Sequence, residues 1–352
     1  MNRRKFVVVS TVMMAVLAAA VAGMALYSSY VVKASIPALP EALAWLPADT
    51  QAVFGMNVQK FVASPIYARF EEKHGRDIAH DLGEFTARTG VDPRRDISYV
   101  VGAGRVLDGP KGEGVAIAVG HFNTTAITTF IQTHGSPVKV DYKGVSILMI
   151  PENSDYKVDK GIAFIGESEI ALGELESLKQ VLDVRSGSAS GIMTSGTLGP
   201  MLRALNPDEM FWFAGDAARI VAKAPANTPF AETASALLTV SGALNLTDAV
   251  TGKITATARD EDSARKLADV ARGAVALGQL AGESHPEVAE LLTGINVTQE
   301  KNDIRLVVNF PMELLDRLGQ AKPIGIPAGI NVVEAARGLS TDKRTAQPPG
   351  PK

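Results

Sequence analysis

The chain contains 352 residues, of which 46% are hydrophobic and 21% are charged, a composition typical of a folded protein. It contains no cysteine, which excludes disulfides, thiolate metal sites and cysteine nucleophiles. The net charge of -3 conceals an acidic body, since residues 34–320 carry 26 basic and 36 acidic side chains. An acidic body argues against nucleic acid as a partner, because proteins that bind nucleic acid present a basic face.

The N-terminal segment has the pattern of a membrane anchor. Residues 1–5 form a basic cytoplasmic flank, and residues 6–32 contain no charged side chain. About 20 apolar residues span a bilayer, whereas the apolar region of a cleaved signal peptide has about 7 to 15. The length therefore predicts an uncleaved signal-anchor, a single-pass transmembrane helix in a bacterial inner membrane with the body of the protein outside the cytoplasm. Cleavage near Ala22 or Ala34 and twin-arginine export through residues 3–4 remain open.

The body begins after a stalk at residues 33–45 that is rich in Pro and Ala. Residues 46–184 predict a first α+β unit in the order strand, helix, two strands, helix and two strands. The first long helix is expected to begin at Pro65, and the hairpin that closes the pattern is expected to turn at Lys143 and Gly144.

The same order of elements recurs further along the chain. A Ser- and Gly-rich connection with a short helix is expected at residues 185–207, and a second α+β unit at residues 208–320. Residues 321–352 mix Pro, Gly and charge and are interpreted as a flexible tail. The sequence therefore predicts an α+β fold in which an N-terminal transmembrane helix is followed by two similar, mainly antiparallel units that arose by internal duplication.

Three segments of the body resemble a family of bacterial proteins. They are LPADT at residues 46–50, TGVDPRRDIS at residues 89–98 and the segment at residues 161–187, which begins with GIAFIGESEIAL. Together they resemble a family of membrane-anchored envelope proteins whose exported part opens with Leu-Pro-Ala-Asp-Thr before a strand. The resemblance implies an envelope protein, and it brings no known activity and no catalytic residues.

Histidine and aspartate side chains on the first long helix form a candidate metal site. His74, Asp77 and Asp81 recur at spacings of three and four, and His80 lies beside them. Imidazole and carboxylate groups are common ligands of transition metals. Because no complete ligand motif such as HExxH is present, the alternative is that His74 simply borders the core. The sequence predicts no cofactor and no metal.

The other candidate residues lie at a strand end, in a turn and in an aromatic run. His121 follows a strand and is a candidate general base, and the alternative is that it only ends the strand. Arg94 and Arg95 form a charged turn that is a candidate anion site. Trp212 belongs to the densest aromatic run and is expected at the contact between the two units, where a ligand groove can form.

The chain contains neither a GxSxG nucleophile elbow nor a phosphate-binding loop. We therefore expect a protein of the cell envelope that binds or scaffolds another envelope protein or a small ligand, rather than an enzyme. The main alternative is an envelope hydrolase with a histidine and carboxylate site between the two units. A further alternative is an assembly subunit that associates with itself through an exposed sheet edge. The sequence leaves the oligomeric state open.

Overall fold

The computed structural model describes residues 40–106, 112–134, 136–150, 160–166, 168–194, 196–206, 208–222, 235–280, 286–314 and 317. Its central feature is a single sheet of 12 strands in the order β11-β12-β10-β9-β8-β1-β2-β3-β7-β6-β5-β4, and every pair of neighbours is antiparallel. The strands are β1 (Ala52–Asn57), β2 (Ile97–Val106), β3 (Gly112–Gly120), β4 (Val138–Tyr142), β5 (Val145–Ile150), β6 (Lys160–Phe164), β7 (Glu169–Gly173), β8 (Phe211–Asp216), β9 (Leu237–Leu246), β10 (Ala249–Ala258), β11 (Ile295–Glu300) and β12 (Asp303–Pro311).

The two halves of the chain meet at the centre of this sheet, where β1 pairs with β8. From this seam the first half extends outward as β1, β2 and β3, and the second half extends the other way as β8, β9 and β10. The last hairpin of the second half joins the sheet directly, because β12 pairs with β10. In the first half the hairpin of β6 and β7 lies between β3 and β5.

The predicted fold class is wrong, because the two halves do not form separate α+β units behind a transmembrane helix. They share one continuous antiparallel sheet within a mixed α+β architecture. The physical reason is that β1 and β8 would each present unpaired backbone groups at an edge if the halves were separate. Their pairing over the register Ala52↔Gly215 to Met56↔Phe211 satisfies both edges at once.

Helices cover parts of both faces of the sheet. A short 3-10 helix (Glu41–Trp45) precedes β1. The α-helices are α1 (Val58–Val62), α2 (Pro65–Thr89), α3 (Pro93–Asp96), α4 (Thr124–His134), α5 (Leu175–Arg185), α6 (Gly199–Arg203), α7 (Ala217–Ala222), α8 (Glu261–Leu280) and α9 (Pro286–Thr293).

Successive side chains of a strand point to opposite faces of the sheet, so the buried side chains form a core on each face. On the front face, Tyr99 and Val101 of β2 pack with residues of the 3-10 helix, α5 and α6. On the back face, Val100 packs with residues of α1 and α2. The back face of the first half also carries α4, and that of the second half carries α8, whose Ala264 and Ala268 pack on β12.

The structure confirms two predictions made from local sequence patterns, the start of the first long helix and the turn of one hairpin. Helix α2 begins at Pro65 after Ser64, whose hydroxyl accepts a hydrogen bond from the Tyr67 amide, and it ends before Gly90 at a φ of 72°. The hairpin of β4 and β5 turns at Lys143 and Gly144, with φ values of 48° and 78°. Two consecutive positive φ values are those of the turn that matches the twist of paired strands.

The prediction of a single-pass membrane protein is wrong for the part of the chain that the structure describes. No helix there is long and apolar enough to cross a membrane. Helix α2 carries charged residues along most of its length and α8 carries them from Glu261 to Arg272, whereas a spanning helix needs about 20 mainly apolar residues. Residues 6–32, for which the anchor was predicted, lie outside the described residues, as do residues 321–352 of the predicted tail.

Candidate functional site

An apolar pocket lies on the back face of the first half, between the sheet, α4 and the C-terminal end of α2. It contains a cavity of about 80 Å³. The side chains that line it come from α2, α3 and α4, from the five strands β2, β3, β5, β6 and β7, and from the connecting segments, and all of them are apolar. They are Phe85, Val91, Pro93, Ile97, Ala118, Phe122, Ile127, Phe130, Ile131, Ile150, Ile162, Ile170 and Leu172.

The alternation of the strands builds the floor of the pocket. On β7, Ile170 and Leu172 point to the back face, while Ala171 between them packs in the front core. Ile162 of β6 continues the same surface. Ala118 of β3 is the smallest side chain in the lining, and it leaves space where a larger residue would fill the floor.

Helix α4 forms the roof of the pocket. Ile127, Phe130 and Ile131 recur at the spacing that places side chains on one face of a helix, and all three are buried. The Asn123 side chain accepts a hydrogen bond from the Ala126 amide at 3.0 Å and caps the helix. The rings of Phe130 and Phe85 meet edge to face with centroids 5.4 Å apart, which joins α4 to α2.

The chemistry of this lining suits an apolar group. A polar or charged ligand would lose its hydrogen bonds to water without gaining partners from these side chains. An apolar group would gain about 25 cal/mol for each Å² that it removes from water. The pocket therefore favours alkyl or aryl groups over metals, phosphates and charged cofactors.

The predicted metal site falls on residues whose side chains the structure does not describe. His74, Asp77, His80 and Asp81 all lie on α2, and their side chains are outside the described part of the molecule. Among the side chains that are described, no three or more His, Asp or Glu residues are grouped as a metal site would require. The candidate metal site thus stays a prediction.

The predicted anion site is occupied by carboxylates of its own turn. Arg94 Nη2 lies 2.6 Å from Asp92 Oδ2, and Arg95 Nη2 lies 2.8 Å from Asp96 Oδ2. Burial of Asp92 raises its pKa, but the hydrogen bonds and charge of Arg94 outweigh burial and hold the pKa below its usual value. An external anion would have to displace these carboxylates, so the two arginines stabilise the turn through their ion pairs.

His121 lies close to that turn and beside the pocket. Its backbone amide donates to the Asp96 carbonyl at 2.7 Å, and the next residue, Phe122, lines the pocket. The His121 side chain itself is exposed. The hydroxyls of Thr129 and Thr133 on α4 donate to backbone carbonyls one turn earlier in the helix. Among the described residues, no side chain forms a hydrogen bond with the imidazole of His121.

The structure places Trp212 in the front core at the seam, away from the pocket. It is 1% exposed, and its Nε1 donates a hydrogen bond to the hydroxyl of Tyr99 on β2. Its indole lies over Gly55 of β1, where a Cβ atom would overlap the ring. Burial raises the pKa of Tyr99 to about 12, and the bond from Trp212 opposes that rise.

A small polar cavity lies on the front face, and the charged side chains that line it form ion pairs with one another. Arg105 Nη2 lies 2.7 Å from Glu113 Oε2, and Arg105 also pairs with Asp49 of the LPADT segment. The Glu174 carboxylate accepts from the Gly114 amide at 2.9 Å and pairs with Lys160. These interactions connect the start of the body to β2, β3 and the start of α5, so their role is to stabilise the fold.

Reasoning from the sequence missed the apolar pocket. The signals were present, since Ile162 and Phe164 alternate on one strand and Ile170 and Leu172 on another. Such patterns predict which side chains are buried, but not whether the buried surfaces fill the space between them. The cavity results from how α2 and α4 rest on the sheet around Ala118.

Comparisons with known proteins find a distant structural likeness. No family model matches the chain, and no curated protein matches it. A solved structure described as "Structure of crystal form I of TP0453" is 8% identical, with a TM-score of 0.42, over 80% of this chain and 97% of that chain. Membership of the envelope family that the sequence resembles therefore stays a prediction.

Proposed function

We propose that the protein is a binding protein and that it holds the end of an alkyl chain in the apolar pocket. The observation that carries this proposal is the uniform lining, in which every one of the side chains around a cavity of about 80 Å³ is apolar. Apolar cavities of this kind stay free of water and accept apolar guests. Binding sites for small molecules are also mostly apolar and largely formed in advance.

The size of the cavity limits what it can enclose. An engineered cavity of about 150 Å³ accepts benzene, and this one has about 80 Å³. Only a few methyl and methylene groups fit inside, so the rest of the ligand must lie outside the cavity. An amphiphile with one unbranched alkyl chain meets these conditions, because its apolar end is buried and its polar end remains in water.

Two predictions from the sequence are compatible with this proposal, but they do not support it. A location outside the cytoplasm and a partner in the cell envelope were predicted from the N-terminal segment and from the family resemblance, and both remain predictions. The hydrolase alternative likewise remains a prediction, since the candidate histidines and aspartates of the first half that lie on α2 are outside the described side chains. The binding proposal does not depend on the predicted location, on the predicted envelope partner or on the hydrolase alternative.

A series of unbranched primary alcohols tests the proposal. Each buried methylene contributes about 0.8 kcal/mol, so the dissociation constant should fall about fourfold with each added carbon until the cavity is full. Beyond that length the affinity should level off, because further carbons stay in water. Titration of the full chain with butanol to decanol, followed by calorimetry or NMR, measures the dependence on chain length.

Two neighbouring residues of β3 supply a variant and its control. Ala118→Leu adds carbon atoms inside the pocket and should abolish the gain per methylene, or end it at a shorter alcohol. Val119→Leu adds a carbon on the opposite face of the same strand and should leave the series unchanged. The proposal fails if the wild type shows no dependence on chain length, or if both variants behave alike.

A further inference from the structure

The two edges of the sheet differ in how their backbone groups are occupied. At the β11 edge, Arg272 Nε on α8 donates a hydrogen bond to the Val297 carbonyl at 3.2 Å. At the β4 edge, no described side chain bonds to the backbone of Val138–Tyr142. Strand β4 is therefore the edge that another strand can extend.

Hairpin geometry determines which backbone groups of β4 point away from β5. Tyr142 and Val145 flank the two-residue turn and form the first pair of the ladder. Hydrogen-bonded pairs and non-bonded pairs alternate along an antiparallel ladder, so Val140 and Val138 also bond to β5. The N–H and C=O groups of Lys139 and Asp141 consequently point outward and can bond to a further antiparallel strand.

The side chains of β4 complement those of a second β4 strand. In an antiparallel pair centred on Val140, Lys139 of each copy lies opposite Asp141 of the other, and these are the residues whose backbone groups point outward. The same register places Val138, which is 54% exposed, opposite Tyr142 of the second copy. Pairs of opposite charge and pairs of an aromatic with a β-branched residue both stabilise sheets when they lie directly opposite.

We propose that two copies of this chain associate through β4 and form one sheet across a two-fold axis at Val140. A lysine on an edge strand commonly discourages pairing, but the aspartate two residues away makes this edge attractive to itself. A short strand pair buries less surface than a standard interface, so the dimer should dissociate on dilution. The inference concerns a surface distinct from the pocket and is independent of the ligand.

Charge substitutions test the register directly. Lys139→Asp places aspartates opposite each other twice, and Asp141→Lys places lysines opposite each other twice, so each variant should associate about tenfold or more weakly than the wild type. An equimolar mixture of the two variants should associate as well as the wild type, because every lysine again faces an aspartate. Sedimentation velocity over a range of concentrations measures all three samples.

The control for this experiment is Lys301→Asp, which makes the same charge change at the turn between β11 and β12. Its φ of 52° lies in the region that aspartate tolerates, so the variant should fold and should associate like the wild type. A wild type that stays monomeric at every concentration overturns the proposal. So do single variants that associate normally, or a mixture that does not recover association.

A single introduced thiol gives a second, independent test. The chain has no cysteine, so Val140→Cys provides one thiol per copy. At the proposed axis the two thiols lie directly opposite each other, within the Cα separation that a disulfide requires. In Val138→Cys the two thiols would be about 14 Å apart along the strands, which is beyond that reach.

Mild oxidation should therefore link Val140→Cys into a covalent dimer and leave Val138→Cys unlinked. Val138 is the more exposed of the two residues, so random collisions between copies would link Val138→Cys more readily than Val140→Cys. Preferential linkage of Val140→Cys would therefore require the proposed pairing. Linkage of Val138→Cys to the same or a greater extent contradicts the proposed register.

Discussion

At the level of single residues, the contact of Trp212 with Gly55 and Tyr99 holds the two halves of the sheet together. The indole belongs to β8, the glycine to β1 and the phenol to β2, so one buried group touches three adjacent strands. The sequence suggested that Trp212 lies where the halves meet. It contained no sign that Gly55 opposite it must lack a side chain, because that requirement depends on the register between β1 and β8.

The first prediction concerns Gly55. A methyl group at this position would overlap the Trp212 ring, which is held in the core by its bond to Tyr99. We expect Gly55→Ala to lower the free energy of unfolding by about 3 kcal/mol, at the upper end of overpacking costs. Gly104→Ala on β2 is the control, since its methyl group would meet only the Glu113 carbonyl at 3.5 Å. Urea unfolding measures both, and equal effects would contradict the account.

The second prediction concerns the pH dependence that Tyr99 confers. Burial raises its pKa to about 12 in the folded state, whereas an unfolded tyrosine has a pKa of about 10. The unfolded state therefore loses this proton first, so the stability contribution is complete below pH ~10 and is lost as the pH rises towards ~12. Tyr99→Phe should flatten this part of the curve. Identical slopes for the two proteins in urea unfolding between these pH values would exclude the effect.

At the level of elements, local signals and pairing partners differ in what the sequence can specify. The start of α2 at Pro65 and the turn at Lys143 and Gly144 were predicted correctly, because a cap or a turn depends on residues a few positions apart. The pairing of β1 with β8 and the position of β6 and β7 between β3 and β5 were not predicted. Those choices depend on contacts between residues that are distant along the chain.

The third prediction concerns the interior of α2. Gly83 is exposed within this helix, and a Cβ atom added there would meet no atom within 4 Å other than those of its chain neighbours and of the helix's own backbone. Glycine in a helix is less favourable than alanine by about 0.8–1.0 kcal/mol. Gly83→Ala should therefore raise the free energy of unfolding by up to that amount, in a calorimetric or urea measurement. A loss of stability would indicate that α2 is not a regular helix at this residue.

The candidate site depends on packing between elements, which explains why the sequence did not reveal it. Burial of Ile162, Ile170 and Leu172 follows from the strand pattern, and burial of Ile127 and Phe130 follows from the helical pattern. The remaining space does not follow from either, since it depends on the distance between α4 and the sheet. Of the polar residues selected from the sequence that the structure describes, Arg94 and Arg95 form ion pairs within their own turn and His121 lies on the surface.

At the level of the whole molecule, one sheet that passes through both halves implies one folding unit. The fourth prediction is that the halves unfold together, because loss of either half would leave the edge of β1 or β8 and the buried Trp212 exposed. In a Trp45→Phe variant, Trp212 is the single remaining tryptophan and reports on the seam. Its fluorescence and far-ultraviolet circular dichroism should give the same urea midpoint. Two separated midpoints would show that the halves unfold independently.

The central claim is that the apolar pocket of the first half receives an alkyl chain, and NMR of isoleucine methyl groups tests it most directly. Six isoleucines line the pocket, namely Ile97, Ile127, Ile131, Ile150, Ile162 and Ile170. Ile117 and Ile147 lie on the opposite face of the same strands and serve as internal controls. On titration with octanol, we expect saturable shifts confined to the methyl groups of the pocket and lost in Ala118→Leu. Shifts spread evenly over both faces, or no saturable shift at all, would contradict the account.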